Sequence, residues 1–200
     1  SYGDFIFENI GDYTMVDVDG STTYGFNGVD FPNTGYTGSY IVFNPSQTTP
    51  ALEEPEFQAY SGDKYLVCFA ATTPPNDDWL ITPEVTVADG MEISFMAKSI
   101  TADYGLERFK VAVSTTGTDP ADFTVISEGN YVEAPIDWTS FSYDLSDYAG
   151  QNIHIAIHCV SDDAFMFMVD DLSVDMAQDK SKAFEGYTVY LNENEEATGI

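Results

Sequence analysis

Apolar and polar positions alternate over three stretches of the chain. In residues 92–98, Ile93, Phe95 and Ala97 fall on one face and Ser94 and Lys98 on the other, with Met96 the exception. In residues 108–114, Phe109, Val111 and Val113 repeat the pattern. In residues 152–159, Ile153, Ile155, Ile157 and Cys159 oppose His154, Ala156 and His158. A period of two puts successive side chains on opposite faces of a strand. One dry and one wetter face per strand is what two antiparallel sheets need to pack into a sandwich. Gly, Asn, Asp and Pro separate these runs as turn signals. Helical signals are weak: residues 119–123 offer one turn, with Asp119 as a cap and Pro120 at the first helical position. Residues 21–50, rich in Gly, Tyr, Asn and Thr, read as a long excursion with one strand at 39–43. Loops of that length on a rigid scaffold usually serve function or are disordered.

The character changes after Met176. Residues 178–182 are polar and hold Lys180 and Lys182, then 184–192 give one strand and 193–200 a polar end. A lone strand cannot bury its own face. The division expected is therefore a β-sandwich domain over residues 1–176, then a linker and strand over 177–200. That strand either docks on the sandwich or opens a following module.

Composition narrows the partners. Of 200 residues, 44% are hydrophobic, with 14 Phe and 13 Tyr, which is ample material for a packed core. Asp and Glu number 34 against six Lys and Arg, for a net charge of −28. A field of that sign repels phosphate backbones and anionic lipid, so no nucleic-acid partner is expected. The same field attracts divalent cations. No run of 18 apolar residues exists to insert into a membrane. Cys68 and Cys159, the two cysteines, sit in apolar strand-like runs, and two cannot form a four-cysteine zinc site. The reading favours buried free thiols over a bridge.

Several segments together resemble the cleaved-adhesin (gingipain haemagglutinin/adhesin) family of secreted Bacteroidetes proteins. They are Phe7-Glu8-Asn9, Asp17-Val18-Asp19-Gly20, Asp78-Trp79-Leu80-Ile81-Thr82-Pro83, and Glu107 ahead of the 109–117 run. Tyr143-Asp144-Leu145-Ser146 and Val169-Asp170-Asp171-Leu172 close the series. Their order and spacing span roughly residues 4 to 176. The resemblance implies an all-β fold, a jelly-roll β-sandwich of two antiparallel sheets. It further implies a secreted or cell-surface location, structural calcium and no catalysis by this domain. Gly186-Tyr187-Thr188-Val189-Tyr190 resembles the first strand of a fibronectin type III-like module, which implies neighbouring modules in a larger chain.

The closing strand carries the candidate chemistry. If Met166, Met168, Asp170, Leu172 and Val174 share one face, Asp170 lies among apolar neighbours. An ionised carboxylate buried there costs several kcal/mol unless paired or metal-bound. With only six basic residues, Ca2+ is a reasonable counter-charge. Glu8 sits in a comparable setting, near Phe5, Ile6, Phe7 and Ile10. The first and last strands of a jelly roll commonly lie side by side, which would bring Glu8 toward Asp170. Asp17 and Asp19, with Gly20 allowing a tight turn, could complete an oxygen shell. The alternative is that Glu8 and Asp170 accept backbone N–H bonds at strand ends.

For a ligand surface, Tyr24, Phe26, Phe31 and Tyr36 lie in the excursion beside Asn27. Flat rings next to amides can stack on sugar faces and hydrogen-bond hydroxyls. The competing role for each ring is to cap the open end of the sandwich. His154 and His158, four residues apart on one strand face, are ~13 Å apart at strand rise, too far to share a metal. A glycosidase needs two carboxylates, and Glu84, Glu107 and Asp137 are the acids nearest aromatic residues. Three functions follow: an extracellular module that binds glycan or a host surface protein, a structural spacer without a ligand, and an acidic glycosidase, which solvated loop acids make the least favoured.

Overall fold

The structure, a computed structural model, describes residues 3–177. It contains twelve strands and four 3-10 turns, and no α-helix among the described residues. In chain order the strands are β1 (Thr14–Asp17), β2 (Ile41–Phe43), β3 (Tyr65–Phe69), β4 (Asp78–Ile81), β5 (Val85–Thr86) and β6 (Met91–Ser99). They continue with β7 (Arg108–Ser114), β8 (Thr124–Val125), β9 (Val132–Glu133), β10 (Thr139–Asp144), β11 (Asn152–Cys159) and β12 (Met166–Met176). A seven-stranded sheet runs β1-β4-β11-β7-β8, with β5 on β11 and β9 on β7. A five-stranded sheet runs β10-β6-β12-β3-β2. The ladders are antiparallel, giving the jelly-roll β-sandwich. The short turn expected at 119–123 forms at Pro120–Asp122, with the Asp119 side chain accepting from the Ala121 N–H.

The alternating faces meet between the sheets. Ile93, Phe95 and Ala97 of β6 pack with Phe109, Val111 and Val113 of β7 and Ile153, Ile155 and Ile157 of β11 in one core. Phe109 anchors it, stacked on Phe167 at 5.2 Å and edge-on to Phe141 at 5.1 Å. Burying each such ring contributes roughly 1.5–3 kcal/mol. Cys68 and Cys159 sit in the same core as free buried thiols.

A second core lies on the outer face of the five-stranded sheet. The excursion folds back over β2, β3 and β12 and buries Phe5, Phe31, Phe43, Phe69, Met166 and Met168 together. The excursion is thus largely a packed cover rather than an open loop. The other half of that outer face, over β10, β6 and the end of β12, is left uncovered by the described residues and is lined by Ser94, Ser140, Ser142 and Ser173.

One expected face assignment is corrected by a bulge in β12. Its pairing with β6 runs through Asp170↔Met96 and resumes at Ser173↔Ser94, so β12 carries one extra residue. Asp171 adopts φ 47° there. Before the bulge, Met166 and Met168 face outward into the second core. After it, Leu172 and Val174 pack against the inter-sheet core. Asp170 therefore does not share a face with Leu172 and Val174.

Candidate functional site

The rim of the second core forms a groove of about 490 Å³ lined by Tyr24, Phe26, Asn27, Tyr104, Asp163 and Phe165. Three segments converge to build it: the excursion, the β6–β7 connection and the β11–β12 connection. Tyr24 and Tyr104 are the two open rings, 43% and 69% exposed. Backbone bonding fixes Tyr24, whose N–H donates to Ala70 O at 3.0 Å. At Gly25, a Cβ would meet Thr34 Oγ1 at 2.5 Å, so a larger residue there would make the Thr34 side chain turn away.

Phe26 is partly buried, edge-on to Phe57, Phe69 and Phe165 at 5.6, 6.0 and 5.1 Å. It forms the floor between the exposed rings. Asn27 and Asp163 supply the polar edge, and Asp163 is held at φ 56° in a sharp turn. Of the expected ligand residues, Tyr24, Phe26 and Asn27 come together here. Phe31 and Tyr36 do not: each is only 6% exposed in the second core. Phe31 stacks on Phe69, and the Tyr36 hydroxyl donates to Ser39 O, so both serve as cover. Tyr104 was not singled out from sequence. Its signal was a tyrosine beside Gly105 in a strand connection, and Gly105 has φ 100°.

The carboxylates separate into two places. β1 pairs with β4 through Asp17↔Asp78, across sixty residues of sequence. Asp17, Asp19 and Asp78 consequently offer oxygens that all lie within 4.8 Å of one another. The turn after β1 is tied by its own acids: Asp17 accepts the Gly20 N–H, and Asp19 accepts those of Ser21 and Asp77. Asp78 is 2% exposed. Its Oδ2 accepts from Asn76 Nδ2 at 2.8 Å and Cys68 Sγ, whereas its Oδ1 is buried without a hydrogen-bond partner. Burial, above all, pushes Asp78 up to about 7, with Asn76 opposing and Asp19 and Asp17 adding to the rise. Burial also raises Asp17, against the Gly20 N–H and with Asp19 and Asp77. Three clustered carboxylates, one with an orphaned buried oxygen, fit a hard divalent cation with oxygen ligands.

Glu8 and Asp170 line different pockets. The segment before β1 lies along β2, with Ile6 O accepting the Val42 N–H at 2.8 Å, and β3 stands between β2 and β12. Glu8 is exposed and shares a shallow pocket with Asp17. Asp170 accepts the N–H groups of Ser61 and Asp171 at 3.0 and 2.8 Å. These are the backbone bonds that the alternative reading expects of it. Of the expected metal ligands, Asp17 and Asp19 thus cluster, with Asp78 as the unforeseen third. In sequence Asp78 stood out only as the first residue of the 78–83 segment that carries the resemblance.

The candidate glycosidase acids differ in exposure. Glu107 is 1% exposed, closed off from any substrate, while Glu84 is exposed and accepts from Asn152. His158 stacks on Trp79 at 3.8 Å and bonds Asp77 at 2.7 Å.

The cleaved adhesin domain model matches residues 9–174. Haemagglutinin A of Porphyromonas gingivalis is 30% identical over 198 residues, covering 89% of this chain and 7% of that protein. Lys-gingipain of the same organism is 25% identical over 173 residues, covering 76% of this chain and 10% of that protein. The chain thus spans a tenth or less of the curated relatives it matches. Among solved structures, the K2 cleaved adhesin domain of Lys-gingipain superposes with a TM-score of 0.59 at 20% identity, covering 85% of this chain and 96% of the other. A carbohydrate-binding module solved with β-1,4-galactotriose reaches 0.52 at 11% identity, covering 88% of this chain and all of the other. Both likenesses are of fold.

Proposed function

This chain belongs to the cleaved adhesin domain family, and from that premise we propose that it binds glycan through the groove between Tyr24 and Tyr104. As a cleaved adhesin domain it is a non-catalytic module. The observation that carries the proposal is a pair of exposed rings flanking an apolar floor with an amide and a carboxylate at its edge. Rings bind the C–H faces of a sugar, and Asn27 and Asp163 are placed to meet its hydroxyls. The matched regions are small parts of the much longer haemagglutinin A and Lys-gingipain, which supports a module of a multi-module surface or secreted protein. Among the described residues no helix is long and apolar enough to cross a membrane.

Calcium is proposed as the structural cofactor, held by Asp17, Asp19 and Asp78. It would neutralise the acids and tie the turn after β1 to the start of β4. The proposal gains support from the orphaned Asp78 Oδ1. Asp170 and Glu8 are left out of this set.

A glycan array tests the main proposal. Wild type is expected to retain a defined sugar class, and Tyr24→Ala and Tyr104→Ala each to weaken it about tenfold or more, with an unchanged melting temperature. Retention of no glycan would favour the spacer, or a host surface protein as ligand.

A further inference from the structure

Glu107 is a buried acid that neither the fold's core nor the groove accounts for. It lies at the end of the β6–β7 connection that also bears Tyr104. Its Oε1 accepts the Phe165 N–H at 2.6 Å, and its Oε2 accepts the Ser161 hydroxyl. The Met166 N–H is directed at the same carboxylate. Ser161 is itself fully buried, its Oγ accepting the Arg108 N–H at 3.0 Å. The one carboxylate therefore binds both ends of the 161–165 segment. Asp163, Ala164 and Phe165 of that segment form one wall of the groove, and Phe165 packs edge-on to the groove floor at Phe26.

We propose that Glu107 is a positioning residue that clasps this wall in place, and that protonating it loosens the wall. Its bearing on binding rests on the groove reading above; the clasp itself does not. A carboxylate can accept from all three donors at once, and such bonds are strengthened by its charge. Once protonated, it has an O–H of its own and weaker acceptors. Among the described residues no basic side chain stabilises the charge at this point. Arg108, the next residue, directs its guanidinium onto the Tyr131 ring at 4.5 Å and toward Glu133 and Asp162. The ionisable groups facing Glu107 are the thiols Cys68 and Cys159, with the Asp78 carboxyl beyond Cys68. Burial keeps the Cys68 thiol neutral. Burial likewise lifts Glu107 to about 7, against the pull of Ser161, Phe165 and Met166. In a local opening that withdraws these donors while Glu107 stays buried, the charged form loses more than the neutral one. The wall would therefore be held firmly above neutrality and slackened in an acidified medium. Global unfolding, by contrast, solvates Glu107 and carries the opposite sign.

Amide hydrogen exchange tests this without any ligand. Protection of the Phe165 and Met166 amides, corrected for intrinsic exchange, would be followed from about pH 5 to pH 9. Wild type should lose about tenfold protection on acidification, the scale of one hydrogen bond. Glu107→Gln, whose side chain does not titrate, should give a flat profile. Ser161→Ala removes a donor that stabilises the charge, so its transition should move to higher pH; this variant serves also if Glu107→Gln does not fold. A flat wild-type profile, a pH-dependent profile in Glu107→Gln, or an unmoved transition in Ser161→Ala would overturn the proposal. Failure of the protein to bind any glycan would leave the clasp standing and overturn only the groove reading.

Discussion

Asp78 and Glu107 are carboxyls that the fold holds in their neutral form more readily than water does. Both rise to about 7, chiefly through burial, from unfolded values near about 4. A carboxyl whose pKa is raised by folding stabilises the native state fully below its unfolded pKa. That stabilisation is lost as pH rises through the folded value. In chelator the melting temperature should therefore increase by several degrees as pH falls from about 8 to about 5. Asp78→Asn and Glu107→Gln should each flatten part of that slope in a thermal melt series. Calcium changes the sign for Asp78 but not for Glu107, because a cation favours the ionised form of the acids that hold it. With calcium at about 100 times its Kd, binding adds about 2.7 kcal/mol, or roughly 5–10 °C for a domain of this size. Asp78→Asn should abolish that calcium increment, whereas Asp170→Asn should leave it intact. The opposite pattern would return the cation to the closing strand.

At the scale of elements, the bulge in β12 decides which side chains face the core. Deleting Asp171 would remove the extra residue and leave Leu172 alone opposite Phe95, so Leu172 and Val174 would keep facing the core. That deletion should therefore change stability little, whereas replacing Leu172 and Val174 together by Ser should cost up to about 3–6 kcal/mol, read as a lowered denaturation midpoint. The alternating runs of β6, β7 and β11 were legible because nothing interrupts their period of two. The bulge was not, since an extra residue leaves no compositional mark in Val169-Asp170-Asp171-Leu172. Asp17 and Asp19 were readable as a local turn, but Asp78 joins them only through the pairing of β1 with β4. Tyr24 and Phe31 occupy one Gly-rich stretch with similar neighbours. What separates them is that the excursion folds back over the five-stranded sheet, burying Phe31 and leaving Tyr24 at the rim. The strand expected within 184–192 lies outside the described residues.

At the scale of the molecule, the excursion leaves two places where a sugar chain could lie. One is the aromatic groove at its rim, and the other is the uncovered serine-lined half of the five-stranded sheet. The net charge of −28 disfavours anionic ligands at either and leaves neutral sugars as the class expected. The serine face offers hydroxyls and carboxylates but no aromatic ring among its lining residues, which leaves it without a stacking platform. The most direct test is a titration of the protein with the glycan best retained on an array, followed by amide chemical shifts. The groove account predicts saturable shifts at Tyr24, Asn27, Tyr104 and Asp163, lost in Tyr104→Ala. Shifts centred on Ser94, Ser140 and Ser142, unaffected by that substitution, would contradict it.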